Sequence, residues 1–365
     1  CIRDRPTVDS ILQDWKQRQE QFQTLSFTWT AQTTYPKGSL PGKLPGDPRV
    51  PGPGPHLTPP EDVTQTEQMD LKIKGDWMHY TRDGPQWEAN VEKFLRKRYE
   101  SSFDGVDSKN FFEGSKDEPA VHHVGFVNLD KRCEDVTNYE TWPVLLHYRA
   151  VHPTMTPFIS TNWAVIQTGV ILRGHECALL KTRDKGGVEE MCWVDAGRQS
   201  AILRHVVRGA NRMIQTDVDY RDDPQYGPLP SGWKIQDLSP GGSGIRYSST
   251  VADAAAVING PIAGEQFRLT FPPGAWVSDY PAKEYYLVKP DGTKRIITQQ
   301  ELMRGATYED LLKTESGMAR AVQPASWGIW RICLIISVPA ALAAVIAFVV
   351  LRRFRKMRRA NGASS

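Results

Sequence analysis

The feature that most limits how this chain can fold is a long series of short segments in which apolar and polar residues alternate. In LSFTWTAQT, Leu25, Phe27, Trp29 and Ala31 share one parity, and Ser26, Thr28, Thr30 and Gln32 share the other. In VTQTEQMDLKIKG, Val63, Met69, Leu71 and Ile73 oppose Thr64, Thr66, Asp70 and Lys72. Successive side chains of an extended chain point to opposite faces, so each segment predicts a strand with one buried and one wet side. DWMHYTRDG, WEANVEKFLRKRYESSFDG, VDSKNFFEG and AVHHVGFVNLD continue the series between Gly and Asp turns. It resumes from about residue 162 with NWAVIQTGVI, HECALLKT, EEMCWVD, SAILRHVV, RMIQTDVDY, GWKIQDL, GIRYSSTVADAAAVI and EQFRLTF. It ends in the hairpin EYYLVKPDGTKRIIT, turned by PDG.

Roughly a dozen strands in series predict a mainly β (α+β) fold. One large curved antiparallel sheet, a half-open β-barrel, fits this order better than a parallel α/β fold. A sheet of that width curls, and helices are the natural filling or lid for its concave face. TVDSILQDWKQRQEQFQ supplies one, with Val8, Ile11, Leu12, Trp15, Gln19 and Phe22 at helical spacing and Thr7 or Asp9 as N-cap. A helical interlude is expected around residues 136–160, and QQELMRGATYEDLLKT predicts one or two short helices near the end. Residues 36–60 hold nine Pro and five Gly, which excludes regular structure and predicts a long surface-loop insertion.

Residues 332–351, ICLIISVPAALAAVIAFVVL, carry no charge. As a helix they would extend about 30 Å, the thickness of a bilayer's hydrocarbon core. Trp327 and Trp330 flank one end and RRFRKMRR the other. The basic block is expected to stay cytoplasmic, which places the preceding residues outside the cytoplasm in a bacterial envelope protein with a single span. The domains read as an extracytoplasmic domain over 1–320, a juxtamembrane linker over 321–331, the span, and a basic tail over 352–365. The tail and Arg331 carry seven positive charges, so the formal +3 of the whole chain leaves −4 for residues 1–330. A mildly acidic body argues against nucleic acid as a partner.

Five cysteines are present. A two-residue loop at Asp184–Lys185 would set Cys177 opposite Cys192, a possible disulfide, whereas a four-residue loop would separate them. Cys1 is a possible lipidation site if it follows a removed signal peptide. No CxxC or second Cys pair argues for a metal, and His122 and His123, being adjacent, point to opposite faces. His147 and His152 each read as a satisfied or exposed imidazole.

MCWVDAGRQSAILRHVV, residues 191–207, concentrates Cys192, Asp195, Arg198, Ser200 and His205. It reads as two strands joined by AGRQ, with Arg198 and Ser200 exposed at a strand end and no relay beside His205. No nucleophile elbow, zinc-protease helix or nucleotide loop occurs, so no catalytic residue, metal or cofactor is predicted, and the protein is expected not to be an enzyme.

The initial helix running into LSFTWT, the pair SSFDG and VDSKNFFEG, and CWVDAGRQSAILRHVV resemble the LolA/LolB-like family of outer-membrane lipoprotein-sorting proteins. DVDYRDDPQYGPLPSGWKI and EQFRLTFPPGAWVSD extend the resemblance over residues 7–300. It implies a half-open barrel with a helical lid whose apolar concave face holds acyl chains. The span and the 36–60 insertion depart from the family's soluble carriers, and no residue matches the family's cavity arginine. A membrane-anchored member binding a lipid or an acylated protein is therefore expected. Leu25, Phe27, Trp29, Met69, Leu71 and Ile73 would form its ligand-binding face. The alternative is an interaction or regulatory module with a filled core, acting through its surface on an envelope protein partner.

Overall fold

The computed structural model describes residues 5–40, 58–89, 91–115, 122–130, 132–160, 162–184, 186–239, 244–306 and 308–313. They divide into two compact units, one through Phe271 and the other from Pro272. That boundary falls inside the stretch that reads in sequence as one domain.

The first unit is built on the two strands with the clearest alternation. Strand β1 (Thr24–Tyr35) pairs antiparallel with β2 (Val63–Lys74) along its whole length, without a bulge. On the β2 side the sheet continues outward through β3 (Trp77–Glu88), β4 (Lys93–Phe103), β5 (Ser108–Phe112) and β6 (Val124–Asn128). The opposite side takes strands from later in the chain. They are β7 (Ala164–Leu172), β8 (His175–Arg183), β9 (Glu189–Asp195), β10 (Ala201–Arg208), β11 (Met213–Asp223), β12 (Gly227–Leu238), β13 (Ile245–Val251) and β14 (Ala254–Ile258). The last two both lie against β1, and the order then runs back through β12, β11, β10, β9 and β8 to β7. All these ladders are antiparallel. Two meanders thus meet at β1, and among the described residues of this unit no ladder joins β6 to β7.

Helix α1 (Val8–Gln21) begins at a reciprocal cap: Thr7 Oγ1 accepts from Ser10 N at 3.1 Å, and Ser10 Oγ accepts from Thr7 N at 3.0 Å. Its buried stripe is Ile11, Trp15 and Arg18, followed by Phe22. Helix α2 (Trp142–Tyr148) follows a 3₁₀ turn at Glu134–Thr137 and is buried at all seven positions. Two turns of helix are marginal in isolation, so its surroundings hold it in place. Val144, Leu145 and Tyr148 join one core cluster with inner-face residues of β1–β4 and β11–β14. Trp142 and Leu146 join a second with α1 and β8–β10. One face of an open, curved sheet therefore wraps around α2.

EQFRLTF differs from the strand expected of it. Phe267 closes a 3₁₀ turn at Gly264–Phe267, and residues 268–270 have no ladder. The alternation still buries Phe267 and Leu269, but Pro272 and Pro273 follow directly and remove two ladder donors. Residues 41–57 of the Pro/Gly loop lie outside the described residues, as do Cys1 and the expected span. Among the described residues no helix is long and apolar enough to cross a membrane.

In the second unit, β15 (Trp276–Asp279) pairs with β16 (Glu284–Val288), which pairs with β17 (Lys294–Ile296) across the PDG turn. Helices α3 (Gln299–Met303) and α4 (Tyr308–Lys313) follow, as the sequence predicts, and Leu287, Ile297 and Leu311 form the unit's small core.

Candidate functional site: a helical plug on the inner face

The six residues expected to form an apolar face are three directly opposed pairs: Leu25–Ile73, Phe27–Leu71 and Trp29–Met69. None is more than 4% exposed. Direct cross-strand pairs of this kind make a continuous apolar wall. In this structure the wall is covered. Tyr148 of α2 lies 6.1 Å from Phe27 between ring centroids, and Trp233 of β12 lies 5.4 Å from Trp29. Val144 and Leu145 complete the covering from α2.

The two ends of this plug are held by different chemistry. The lead-in to α2 is tied to the wall by charge. Arg82 of β3 donates to both oxygens of Glu67 on β2 at 2.7–2.9 Å, and its Nη1 lies 3.1 Å from Glu140 Oε1. Tyr80 donates to Glu140 Oε2 at 2.8 Å, and Tyr99 to Asp135 Oδ2 at 3.0 Å. Arg212, just before β11, pairs with Asp237, donates to the Tyr139 hydroxyl at 3.3 Å, and sits 4.6 Å from that ring's centroid. A bidentate arginine with a second carboxylate on its remaining nitrogen is a strong arrangement in a dry setting. Burial pushes the Glu67 carboxyl up to about 6 against the pull of Arg82, and Glu140 adds repulsion. Burial works against the Arg82 cation, but Glu140 and Glu67 outweigh it and hold its pKa well above the usual value. Gly84 is required here: a Cβ would come within 2.8 Å of Glu67 Cγ and 3.0 Å of its Cα.

At the other end, Arg18 of α1 and Arg149 after α2 are 3% and 2% exposed and donate only to backbone carbonyls, with Asp14 and Asp76 acting on them through space. Each reaches across to the other helix's end: Arg18 Nε donates to the His147 carbonyl at 2.9 Å, and Arg149 Nη2 to the Phe22 carbonyl at 3.0 Å. Arg18 Nη1 also donates to the Gln199 carbonyl, and Arg149 Nη1 to the Tyr148 carbonyl. Cations at helix C-termini gain from the dipole, which offsets part of the cost of burial. Burial still lowers both arginines to about 10. Arg18 Nη2, Arg149 Nε, both ring nitrogens of His147 and the Tyr148 hydroxyl are buried without a hydrogen-bond partner among the described residues. Burial, then the nearby Arg18 charge, holds His147 well below the ordinary histidine value, so the ring is neutral near neutrality. His147 is thus neither satisfied nor exposed, contrary to the sequence reading.

The 191–207 stretch is a hairpin at which the structure corrects several details. Ser200 is buried, not exposed, and its hydroxyl bonds to Asp14 while its carbonyl accepts from Trp15 Nε1 at 2.7 Å. Arg198 pairs with Asp222. His205 does have an acid beside it, Glu190 at 3.2 Å, with both side chains buried. Asp195 holds His175 at 2.9 Å and caps the following turn through Gly197 N. The Cys177–Cys192 pairing is also overturned: a five-residue connection sets Cys192 opposite Leu180, and both thiols are free. Burial pushes Cys177 up to about 11 and Cys192 well above its usual value, which disfavours the nucleophilic thiolate. Among the described residues no group of three His, Cys, Asp or Glu is placed to hold a metal ion.

On the other side of β1 and β2, a recess of about 620 Å³ is lined by residues including Thr28, Gln68, Asp70, Asp83, Arg98 and Arg221. Thr28, Gln68 and Asp70 belong to the wet parity of those strands, and Trp29, Met69 and Ala254 add apolar surface to the same lining.

Sequence reasoning missed Glu67, Arg82, Arg18 and Arg149. The signal was present: Glu67 shares parity with Met69 and Leu71, Arg82 with Met78 and Tyr80, and Arg18 falls in the helical stripe between Trp15 and Phe22. A charge on an apolar face is informative because its burial needs a partner or a purpose.

The fold and site together define a class: a wide antiparallel sheet curled around an internal helical plug that is fastened by buried polar groups. No family model matches the chain, and no curated protein matches it in sequence. Among solved structures it is similar to the crystal structure of an outer membrane lipoprotein-sorting protein domain from Vibrio parahaemolyticus. That similarity has 10% sequence identity and a TM-score of 0.40, and covers 72% of this chain and 96% of that one.

Proposed function

We propose that this is a non-enzymatic, membrane-anchored envelope protein. Its first unit takes an acyl chain, of a lipid or an acylated protein, against the β1–β2 wall when the lead-in and α2 swing off it about the Arg149 end. The observation that carries the reading is the make-up of the plug. A helix kept only for packing is best surrounded by apolar side chains, since buried ion pairs contribute little over hydrophobic replacements. Here the covering segment is held by Glu67, Arg82 and Glu140 at one end and by two buried arginines that donate only to backbone carbonyls at the other. Buried polar groups left unpaired cost free energy and call for a functional account. The wall beneath supplies the driving force, about 25 cal/mol per Å² of apolar surface removed from water. The uncharged run at 332–351 serves as the tether, with the basic tail in the cytoplasm.

The test is photolabelling of the full chain in vesicles with diazirine-bearing acyl probes, mapped by mass spectrometry. Adducts within residues 24–35, 63–74 and 142–148 support the reading. Adducts confined to the outer parity of the strands or to the 332–351 run contradict it.

The covered state of the wall favours a second reading, in which the core stays filled and the outer recess meets an envelope protein. In that case substitutions at Asp83 and Arg98 change partner crosslinking and leave acyl labelling unaltered.

A further inference from the structure

We infer that the arginine end of the plug is a head-group site, so that the ligand is a single-chain amphiphile with an anionic head, a carboxylate or a phosphate. The inference rests on the acyl-chain reading and adds the polarity and direction of the bound molecule.

Four side chains meet at this place. Arg18 and Arg149 bring two positive charges into the interior, each bonded to backbone carbonyls and reached by a carboxylate, Asp14 or Asp76, only through space. Arg18 Nη2 and Arg149 Nε remain as donors without acceptors, and the Tyr148 hydroxyl adds a third. His147, wedged 4.6 Å from Tyr148 and 5.4 Å from Tyr220 between ring centroids, has one further N–H in either neutral tautomer. Donors outnumber acceptors, and the two guanidinium charges are met by Asp14 and Asp76 only through space. An anionic oxygen cluster supplies acceptors and charge in direct contact, and charge-assisted bonds to guanidinium and hydroxyl groups are the strong ones. A neutral head, such as an ester or an alcohol, offers acceptors without the charge and leaves the two cations as costly as before.

The position also fixes where the chain goes. From Tyr148 the rings step inward, with Phe22 at 4.7 Å, Phe27 at 6.1 Å from Tyr148, and Trp29 at 6.1 Å from Phe27. Those last two belong to the apolar wall. A head held between Arg18 and Arg149 therefore sends its chain along β1 toward Trp29, with the tail and not the head nearing the Glu67–Arg82–Glu140 network. The opposite orientation would set an anionic head against the carboxylates of Glu67 and Glu140.

The experiment compares two photoreactive probes of the same chain length on the full chain in vesicles, a fatty acid under conditions where it is ionised and its methyl ester. Labelling is mapped to residues 24–35 and 142–148. The acid is expected to label this face at concentrations at least about tenfold lower than the ester, as charged hydrogen bonds would give. An alkyl phosphate should displace the acid probe, and inorganic phosphate alone should not. The Arg18→Met substitution should bring acid and ester together, while Tyr148→Phe, which keeps the ring, should narrow the gap in part. Because the acid-to-ester ratio is read on the unsubstituted protein, a variant that fails to fold does not affect the decision. Equal labelling of the wall by acid and ester overturns the head-group site and leaves the acyl-chain reading standing. Labelling of the wall by neither probe overturns both.

Discussion

The two ends of α2 present opposite solutions to burying polar groups beside one apolar wall. At the lead-in, Arg82 finds both Glu67 and Glu140 and Tyr80 bonds the latter, so each charge has its complement in place. At the far end, Arg18 and Arg149 find only backbone carbonyls, and His147 has no hydrogen-bond partner on its ring among the described residues. The first arrangement is complete within the protein's own side chains and works as a fastening. The second is complete only when something anionic arrives. Pre-positioned donors whose complement is absent are costly to the free protein, and that cost is recovered on binding.

The largest effect that separates the two ends is expected from Arg82→Met. It leaves Glu67 and Glu140 buried without their counter-charge and should lower the unfolding free energy by about 3–5 kcal/mol in chemical denaturation. A loss under about 1 kcal/mol would mean that the carboxylates take up their protons or water without consequence, and that the fastening is not one. Next is the titration of Glu67, whose folded-state value of about 6 lies above the ordinary 4.5. The folded protein keeps this proton over a range in which the unfolded chain has released it, so stability falls as pH rises from about 4.5 to about 6 and levels off above. The gap between the natural protein and Glu67→Gln should change by about 2 kcal/mol across that window. An unchanged gap from pH 4 to 7 would contradict it.

At the other end the effects shrink. Arg149→Met gives up two carbonyl contacts but also a buried charge that no carboxylate contacts directly, so its cost should be about 1 kcal/mol, well below that of Arg82→Met. A loss as large as that of Arg82→Met would erase the contrast. Smallest of all, His147→Phe replaces an unpartnered polar ring by an apolar one. It should be neutral or stabilise by up to about 1 kcal/mol in thermal unfolding, at the expense of labelling by the anionic acyl probe.

Much of the wall could be read from the sequence because period-two alternation is a local property. LSFTWT and MDLKIK announce their buried parity residue by residue, and the twelve-residue ladder between β1 and β2 pairs those positions as expected. The capped helix at Val8–Gln21 and the PDG hairpin were legible for the same reason. What covers the wall was not, because α2 is held by residues from distant strands. Glu140 meets Arg82, Tyr139 meets Arg212, and Arg149 meets Phe22, contacts that no local pattern encodes. The Cys177–Cys192 pairing failed through loop length: three more residues in the turn than a two-residue hairpin move the register and part the thiols. The charged members of the site were visible as exceptions, since Glu67, Arg82 and Arg18 occupy apolar parities or stripes, and the exceptions proved more informative about the site than the pattern.

The claim on which the rest depends is that α2 leaves the wall more readily than the strands leave one another. Hydrogen–deuterium exchange on the full chain tests it directly, because local opening reports a segment's own free energy rather than that of the whole unit. Amides of residues 142–150 should exchange well before those of the β1–β2 ladder, and faster still when a fatty acid is added. Exchange of α2 as slow as that ladder, and indifferent to the fatty acid, would show a plug that stays shut and would contradict the account.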